Sequence, residues 1–374
     1  MAQVFSLERG GAGLWRPRPG DFPPARLGAQ MCKQQPGTPE GAPPPKGAAA
    51  VLHDAAGAAG GAPTIAVVNY QGPEVPTGLY AEYVYPPKVG VRRDKKGNDV
   101  EVFGFCTKPT SVPVLDGRQG DSDGRALNLD EHGVVLQDAS FLPLGYFDVD
   151  QVVSVYYPEC CRLVQEATGA RKVIAFDHNM RSVGRAGASM GGGFAVQPPL
   201  ELVHGDYTEA SARNRVRDMT RPPKQNDVLR RTLGDRAPME EDPEELLRNR
   251  FAIINVWRSV HEEPVELKPL GVLSPQSVPL HDLILHEIHY DDRIGENYNA
   301  RHGEGHKWWA FPRMTRDEVM LLKCWDSAGE FAREAPSGVE RVPATFALHS
   351  ALDVPTRPDA PNRESIEVRT IAFF

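Results

Sequence analysis

Cysteine is scarce in this chain of 374 residues, which contains only five. The five form no C-x-x-C pair, and Cys160 and Cys161 are adjacent, so both a disulfide framework and a zinc-ribbon site are disfavoured. Free thiols are typical of a reducing compartment, and we therefore predict a cytoplasmic location.

The sequence also lacks an apolar run long enough to cross a membrane, and its N-terminus lacks the apolar core of a secretory signal. Arginines outnumber acids near the N-terminus, as in a transit peptide, but Pro17, Pro19, Pro23 and Pro24 disfavour the amphipathic helix that such peptides use. A net charge of −8 provides no concentrated basic surface, so neither nucleic acid nor an anionic membrane is expected as a partner.

The composition divides the chain into two parts. Residues 16–63 are dominated by Pro, Gly and Ala, which cannot bury enough apolar surface to offset the entropy of ordering. We therefore predict a disordered or loosely packed extension over residues 1–63 and a single folded domain over residues 64–374.

Short β-branched and aromatic segments dominate the second part. They predict strands at 64–70, 79–85, 99–106, 133–139, 172–180, 200–208, 251–260, 306–312, 318–326, 344–352 and 365–373. Helical spacing predicts helices at 148–168 and 244–250. The expected fold class is mainly β with flanking helices (α+β), built around a jelly-roll or similar double sheet.

Three polar groups stand at strand positions in a suggestive order. His204 and Asp206 are two residues apart on one strand, so both side chains share a face, and His349 lies alone on a late strand. Two imidazoles and one carboxylate on one face of an octahedron leave three positions open, as in non-haem Fe(II) oxygenases.

A possible anion site follows on the last strand, where Arg363 and Ser365 share a face. A 2-oxoglutarate molecule that chelates the iron needs a counterion for its far carboxylate, and a guanidinium meets a carboxylate in a planar two-bond geometry. Spacing alone leaves other interpretations open: His204 and Asp206 in a surface turn, His349 as a core histidine, and Arg363 as a solvated loop residue.

Longer motifs resemble the fungal family that contains the gibberellin GA4 desaturase and the AsaB-type hydroxylase/desaturases. They are NLDEHGV (128–134), VYYPE (155–159), TGARKVIAFDHNMR (168–181), VHGDYT (203–208), VWRS (256–259), HKWWAFPRMTRDEVMLLKCWDS (306–327) and HSALDVPTRPDAPNRESIEVR (349–369). The resemblance covers most of the chain from Thr64 onward and leaves out the extension.

The resemblance implies a 2-oxoglutarate-dependent oxygenase of small secondary metabolites on a double-stranded β-helix. It implies that His204, Asp206 and His349 bind Fe(II), and that Arg363, with Ser365, anchors 2-oxoglutarate. Dioxygen and a small molecule would be the other reactants, with hydroxylation or desaturation of an unactivated C–H as the outcome. The sequence fixes neither the substrate nor the oligomeric state. It departs from the family at Gly205, where a branched residue is more frequent, and at Leu352, where an aromatic is.

Two other functions remain open at this point: an iron oxidase that does not consume 2-oxoglutarate, and a non-catalytic jelly-roll binding protein. A second metal site is conceivable at His281, His286 and His289, if His286 and His289 share a helical face. A G-x-S-x-G motif is absent, which argues against an α/β-hydrolase.

Four further features favour structural roles. Asp177-His178 is expected to be a buried structural pair, although it could orient a metal ligand. The tryptophans Trp257, Trp308 and Trp309 are expected in the core, and Arg258 could contact a carboxylate or form a structural salt bridge. The glycine-rich loop at 184–193 lacks the G-K-[ST] ending of a phosphate cradle.

Overall fold

The computed structural model describes residues 63–75, 89–94, 99–104, 106–191, 194–224, 227–290, 293–332 and 342–374. The chain divides into two units, Met1–Pro45 and Lys46–Phe374, and all of the described residues lie in the second. The predicted N-terminal extension and the strand predicted at 79–85 lie outside the described residues, apart from Pro63.

The larger sheet has ten strands in the order β1-β4-β14-β11-β16-β9-β13-β12-β2-β3. In chain order these strands are β1 (Thr64–Gln71), β2 (Val89–Arg93), β3 (Asp99–Phe103), β4 (Thr107–Asp116), β9 (His204–Gly205), β11 (Leu270–Leu273), β12 (Leu283–His289), β13 (Ile294–Ala300), β14 (Trp308–Ala310) and β16 (His349–Ala351). All pairs are antiparallel except β2 with β12 and β4 with β14.

The second sheet has five antiparallel strands in the order β5-β15-β10-β17-β6. They are β5 (Val134–Asp138), β6 (Lys172–Ser182), β10 (Phe251–Ser259), β15 (Glu318–Asp326) and β17 (Glu364–Phe373), and a small hairpin joins β7 (Ser189–Gly191) to β8 (Phe194–Ala195). Every residue of β10 is buried, as expected of a central strand covered on both faces. One hydrophobic cluster contains residues of both large sheets.

Six α-helices flank the sheets among the described residues. They are α1 (Leu129–His132), α2 (Val149–Gln151), α3 (Tyr157–Thr168), α4 (Glu209–Met219), α5 (Arg230–Leu233) and α6 (Pro243–Arg248), with a π-helical turn at Val152–Tyr156 and 3₁₀ turns at Gly117–Gln119, Pro275–Ser277 and Leu280–Asp282. The predicted helix at 148–168 is therefore one run of α2, the π turn and α3, which ends at Gly169 with φ 69°. No helix in this part of the chain is both long and apolar enough to cross a membrane.

The five-stranded sheet carries polar residues in rows on one of its faces. Cross-strand partners form the row Asp177–Arg369–Asn255 and the row Asn179–Glu367–Trp257. Cross-strand partners point to the same side of a sheet, so these rows share one face. Two β-bulges border the first row, because Phe176 on β6 and Cys324 on β15 have no partner in the register. Bulges of this kind re-aim neighbouring side chains and are frequent beside active sites.

The mainly β fold class with flanking helices is confirmed, but the strand predicted at 200–208 is too long, and the helix on which the conceivable second metal site depended is a strand. The strand predicted at 200–208 is only the two-residue β9, because Pro198 and Pro199 precede it and α4 begins at Glu209. The segment with His286 and His289 is the strand β12 and not a helix, so successive side chains there alternate between faces.

Candidate active site

Two neighbouring strands of the ten-stranded sheet, β9 and β16, bring the predicted triad together. His204 on β9 and His349 on β16 are direct cross-strand partners, and their ring centroids are 4.3 Å apart. Asp206 follows β9 directly, and its Oδ1 lies 3.7 Å from Nε2 of His204. One potential ligand atom from each of the three side chains lies within 4.8 Å of the others.

Both imidazoles are held by carbonyls of their own chain segments. Nδ1 of His204 is 2.8 Å from the carbonyl oxygen of Leu202, and Nδ1 of His349 is 3.3 Å from that of Ala347. A carbonyl can only accept, so in both rings Nδ1 carries the hydrogen and donates it. Nε2 of each ring is left with a lone pair for a metal, which is the usual arrangement of histidine ligands.

The charge states also suit a metal. Burial, followed by the neighbouring His349, lowers the pKa of His204 to about 3, so the ring is neutral at physiological pH. Burial alone would raise the pKa of Asp206, but Arg369, and after it His349 and His204, hold that pKa below its ordinary value. A neutral imidazole at His204 and an ionised carboxylate at Asp206 are the protonation states in which these groups bind a metal.

Oδ2 of Asp206 is held from the five-stranded sheet. Nδ2 of Asn255 donates to it at 2.7 Å, and Nε of Arg369 donates to it at 3.1 Å. The thiol of Cys324, the bulge residue of β15, is 3.9 Å away. The carboxylate of Asp206 is thus fixed by residues of the five-stranded sheet.

Arg363 is a buried cation in a cradle of neutral groups. Its Nε donates to Oγ of Ser365 at 3.0 Å, its Nη1 donates to the carbonyl of Lys268, and its guanidinium lies 5.2 Å from the ring centroid of Trp257. Lys268 has a φ of 50°, a conformation rare for non-glycine residues and enriched at functional sites.

The described part of the chain provides no carboxylate ion pair for Arg363. Burial, and after it the charge of Arg181, lowers the pKa of Arg363 to about 9. A buried guanidinium without an anion is costly, so this cradle suits a bound carboxylate.

Through its charge, Arg181 acts on both the triad and Arg363. It is the cross-strand partner of Ser365, and its charge lowers the pKa values of both His204 and Arg363. Its Nη1 donates to the carbonyl of Pro198 at 2.8 Å. Arg181 was not identified from the sequence as a site residue.

Asn299 adds an unsatisfied amide next to the triad. It is the cross-strand partner of His204 on β13, so its side chain lies on the same face of the sheet. It is fully buried, and neither its Nδ2 nor its Oδ1 has a hydrogen-bond partner among the described residues. Such orphaned groups are rare in native proteins and call for an explanation.

The other histidines do not form the second metal site that the sequence made conceivable. His286 bonds Oδ1 of Asn297 at 2.9 Å through Nδ1, His289 pairs with Glu287 at 2.6 Å, and His281 is exposed beside Asp282. A different group, Asp121, Glu131 and His132, has ligand atoms within 4.8 Å of one another. Arg125 already occupies it, with ion pairs to Asp121 at 2.8 Å and to Glu131 at 3.6 Å.

The side chains of Asp177 and His178 lie on opposite faces of β6. Asp177 accepts from Nη1 of Arg369 at 2.8 Å on the site face, whereas Nδ1 of His178 is 2.9 Å from the hydroxyl of Tyr157 on α3. The expectation of one buried structural pair therefore holds for His178 alone.

Among the residues that the structure describes, Arg258 forms no ion pair with a carboxylate and does not contact the triad. Its guanidinium donates to the carbonyls of Ala139 and Ser140 at 3.1 Å each. Trp308 and Trp309 are in the core as predicted, and Trp257 is buried beside Arg363.

Sequence reasoning missed Asn255, Glu367 and Arg369. The alternation R-x-S-x-E-x-R from Arg363 to Arg369 could have revealed two of them, because it places four polar side chains on one face of a buried strand.

Comparison of the sequence with known proteins gives three findings. A family model described as oxidoreductase/YMDC permease-like domain (YDMC) matches residues 80–373. The alpha-ketoglutarate-dependent dioxygenase phiK of a fungal species is 28% identical over 298 residues, which is 79% of this chain and 95% of that protein. An uncharacterised protein of Methylophilus leisingeri, from the dcmA 3′ region, is 33% identical over 203 residues, which is 52% of this chain and 89% of that protein.

A solved structure shares the fold. The iron and alpha-ketoglutarate-dependent endoperoxidase NvfI superposes with a TM-score of 0.61 at 22% identity, over 83% of this chain and 98% of its own. The family match covers more than half of the chain, and the M. leisingeri protein is matched over most of its length. The chain therefore belongs to the oxidoreductase/YMDC permease-like family.

Proposed function

We propose that this chain is an Fe(II)- and 2-oxoglutarate-dependent oxygenase that hydroxylates or desaturates an unactivated C–H of a small molecule in secondary metabolism. The relatives named as alpha-ketoglutarate-dependent (that is, 2-oxoglutarate-dependent) enzymes bear out the sequence prediction of this reaction class and of its cofactors. The observation that carries the proposal is the convergence of His204, Asp206 and His349, with Nε2 of each imidazole and Oδ1 of the carboxylate available.

The site has two ends, one that would bind the metal and one that would bind the co-substrate. The triad would hold Fe(II), and Arg363 with Ser365 would hold the far carboxylate of 2-oxoglutarate; together, iron and 2-oxoglutarate supply the activation of dioxygen that attack on an unreactive C–H requires. Arg363 suits this role because its hydrogen-bond acceptors are neutral, so the ligand would provide a directly bonded negative charge. The guanidinium lies within cation–π distance of the Trp257 ring, 5.2 Å from the ring centroid.

Other parts of the proposal rest on the sequence resemblance. We place the chain near the GA4 desaturase and AsaB-type hydroxylase/desaturases, and we infer that the two large sheets form a double-stranded β-helix within a single domain at 64–374. Dioxygen and a small molecule are the expected reactants. A cytoplasmic location and the absence of nucleic-acid and membrane partners stay predictions.

Anaerobic visible spectroscopy tests the proposal. Apo-protein is titrated with Fe(II) and then with 2-oxoglutarate, and we expect a charge-transfer band that requires both additions. His204→Ala should lose the band because a ligand is missing. Arg363→Met keeps an unbranched apolar stem but removes the charge, so it should weaken 2-oxoglutarate binding and leave Fe(II) binding intact.

Arg181→Met is the matched variant, since Arg181 is the second cation of the same site. A larger loss of 2-oxoglutarate affinity in Arg181→Met than in Arg363→Met would transfer the anchoring role to Arg181. The proposal fails if the folded, Fe(II)-loaded wild type gives no band and consumes no 2-oxoglutarate.

A further inference from the structure

The two oxygens of the Asp206 carboxylate have different surroundings. Its Oδ2 accepts hydrogen bonds from Asn255 at 2.7 Å and from Arg369 at 3.1 Å. A carboxylate oxygen has about two lone pairs in its plane, so two good donors use its capacity. Oδ1, which lies 3.7 Å from Nε2 of His204, remains for a metal.

Asn255 and Arg369 are themselves held in place. The amide nitrogen of Asn255 also donates to Oε1 of Glu367 at 2.5 Å, which fixes the amide between two carboxylates. Arg369 donates to Asp177 at 2.8 Å through Nη1, and the side-chain oxygen of Asn179, in the amide orientation that satisfies both of its polar atoms, accepts from Nη2 at 2.9 Å. The guanidinium therefore has acceptors on both of its sides.

The sheet supplies this arrangement directly. Asp177, Arg369 and Asn255 are consecutive cross-strand partners on β6, β17 and β10. Such partners have Cβ atoms about 5 Å apart, so the row can act as one unit without a loop contribution. One bulge lies at each end of the row, at Phe176 beside Asp177 on β6 and at Cys324 on β15, the strand next to β10.

We infer that Arg369 and Asn255 are positioning residues that compel Asp206 to bind the metal through Oδ1 alone, and that Asp177 acts one step further out by orienting Arg369. This inference rests on the proposed function, because it concerns how the same triad holds a metal. Outer residues that orient a ligand typically contribute a factor of about 10 to 100 in metal affinity. The row would thus leave Asp206 only one oxygen, Oδ1, with which to bind a metal.

Metal binding to the full-length chain tests the inference without requiring turnover. Mn(II) affinity is measured by calorimetry for the wild type, Arg369→Met and Asn255→Leu, which remove the donors and keep similar volume. We expect each variant to bind Mn(II) about 10- to 100-fold more weakly. Arg369→Lys retains one charged donor and should recover part of the loss, while Asp177→Asn retains an acceptor and should lose less than Arg369→Met.

A spectroscopic measurement separates positioning from general destabilisation. The visible absorption of bound Co(II) reports its coordination, and we expect that spectrum to change in Arg369→Met and Asn255→Leu because Oδ2 becomes free to bind. The control is Arg250→Met, which breaks the two-bond pair between Arg250 and Asp326 in the same sheet and touches none of the triad. It should lower thermal stability but leave Mn(II) affinity and the Co(II) spectrum unchanged.

The outcomes are distinct. A wild type that binds no metal overturns the proposed function. A wild type that binds Mn(II), together with folded variants whose affinity and Co(II) spectrum match it, overturns this inference alone. If Arg369→Met does not fold, Asn255→Leu and Arg369→Lys decide by the same two measurements.

Discussion

At the residue scale, buried charges in this protein are satisfied in distinct ways. Asp206 accepts hydrogen bonds on one oxygen and faces His204 with the other, and the hydrogen-bond partners of Arg363 are neutral. Asp326 illustrates a third arrangement, a fully buried carboxylate between two cations. It accepts from Arg250 at 2.7 Å and from Lys323 at 2.9 Å. Asp206 and Arg363 can therefore each bind a further ligand, whereas the charge of Asp326 is already paired within the protein.

The two buried ion pairs of Asp326 predict that this residue contributes to stability. We expect Asp326→Asn to lower the free energy of unfolding by about 3 kcal/mol, because Lys323 and Arg250 would keep only the exposed carboxylate of Asp130 as an anionic partner. Burial would raise the pKa of Asp326, but Lys323 and Arg250 lower it below its ordinary value. Denaturant unfolding at neutral pH measures the loss.

The sign of the pH dependence follows from that lowered pKa. The carboxylate's contribution is fully present above its unfolded pKa of about 4, and it is lost as pH falls through the lower folded value. The difference in stability between wild type and Asp326→Asn should therefore shrink in strong acid. A difference that stays constant down to that range would contradict the argument.

At the element scale, β11 determines how closely the strand with His349 packs. Val272 on β11 is the cross-strand partner of His349, and a Cβ on the neighbouring Gly271 would stand 2.5 Å from Cδ2 of Leu352. Leu352 is fully buried, so its side chain has little room to move. This glycine is a packing requirement and not a turn.

We expect Gly271→Ala to destabilise the fold by about 1 to 3 kcal/mol through overpacking. The double variant Gly271→Ala/Leu352→Ala should be more stable than the sum of the two single changes predicts, because the new methyl group would occupy the space left by Leu352. Thermal unfolding of the four proteins measures this coupling. Strict additivity would show that the two residues do not compete for one space.

At the scale of the whole molecule, the site joins both large sheets. The triad comes from the ten-stranded sheet, and the residues that hold Asp206 and the predicted 2-oxoglutarate anchor come from or adjoin the five-stranded sheet. A ligand that binds the folded site stabilises the fold by mass action.

We expect Mn(II) at 100 times its dissociation constant to raise the free energy of unfolding by about 2.7 kcal/mol. Thermal melts with and without metal measure the effect, and His204→Ala is the control that should abolish it. An equal stabilisation of His204→Ala would place the bound metal elsewhere, for which Asp121, Glu131 and His132 form the other candidate group.

Much of this organisation could be predicted from the sequence. Alternation and β-branched runs located β5, β6, β10, β15 and β17, because these strands have enough residues to display a pattern. The two-residue β9 displays none, since long-range pairing with β13 and β16 defines it.

The site was predictable to a similar degree. Period two placed His204 with Asp206 and Arg363 with Ser365, whereas the contacts of Asn255 and Arg181 depend on which strands become neighbours. The order of strands in a sheet is not a local property of the chain. Local patterns therefore identified ligand candidates but missed the residues that hold them.

The unsatisfied amide of Asn299 affects how this protein would respond to selection for heat resistance. A buried amide with neither donor nor acceptor satisfied costs about 1 to 3 kcal/mol for each unpaired group in the ligand-free protein. Directed evolution for heat resistance alone would therefore reward an apolar residue at this position, next to His204. The most heat-resistant variants should then be poor starting points for new catalysts. They would lack the amide beside His204 that can form hydrogen bonds with a ligand.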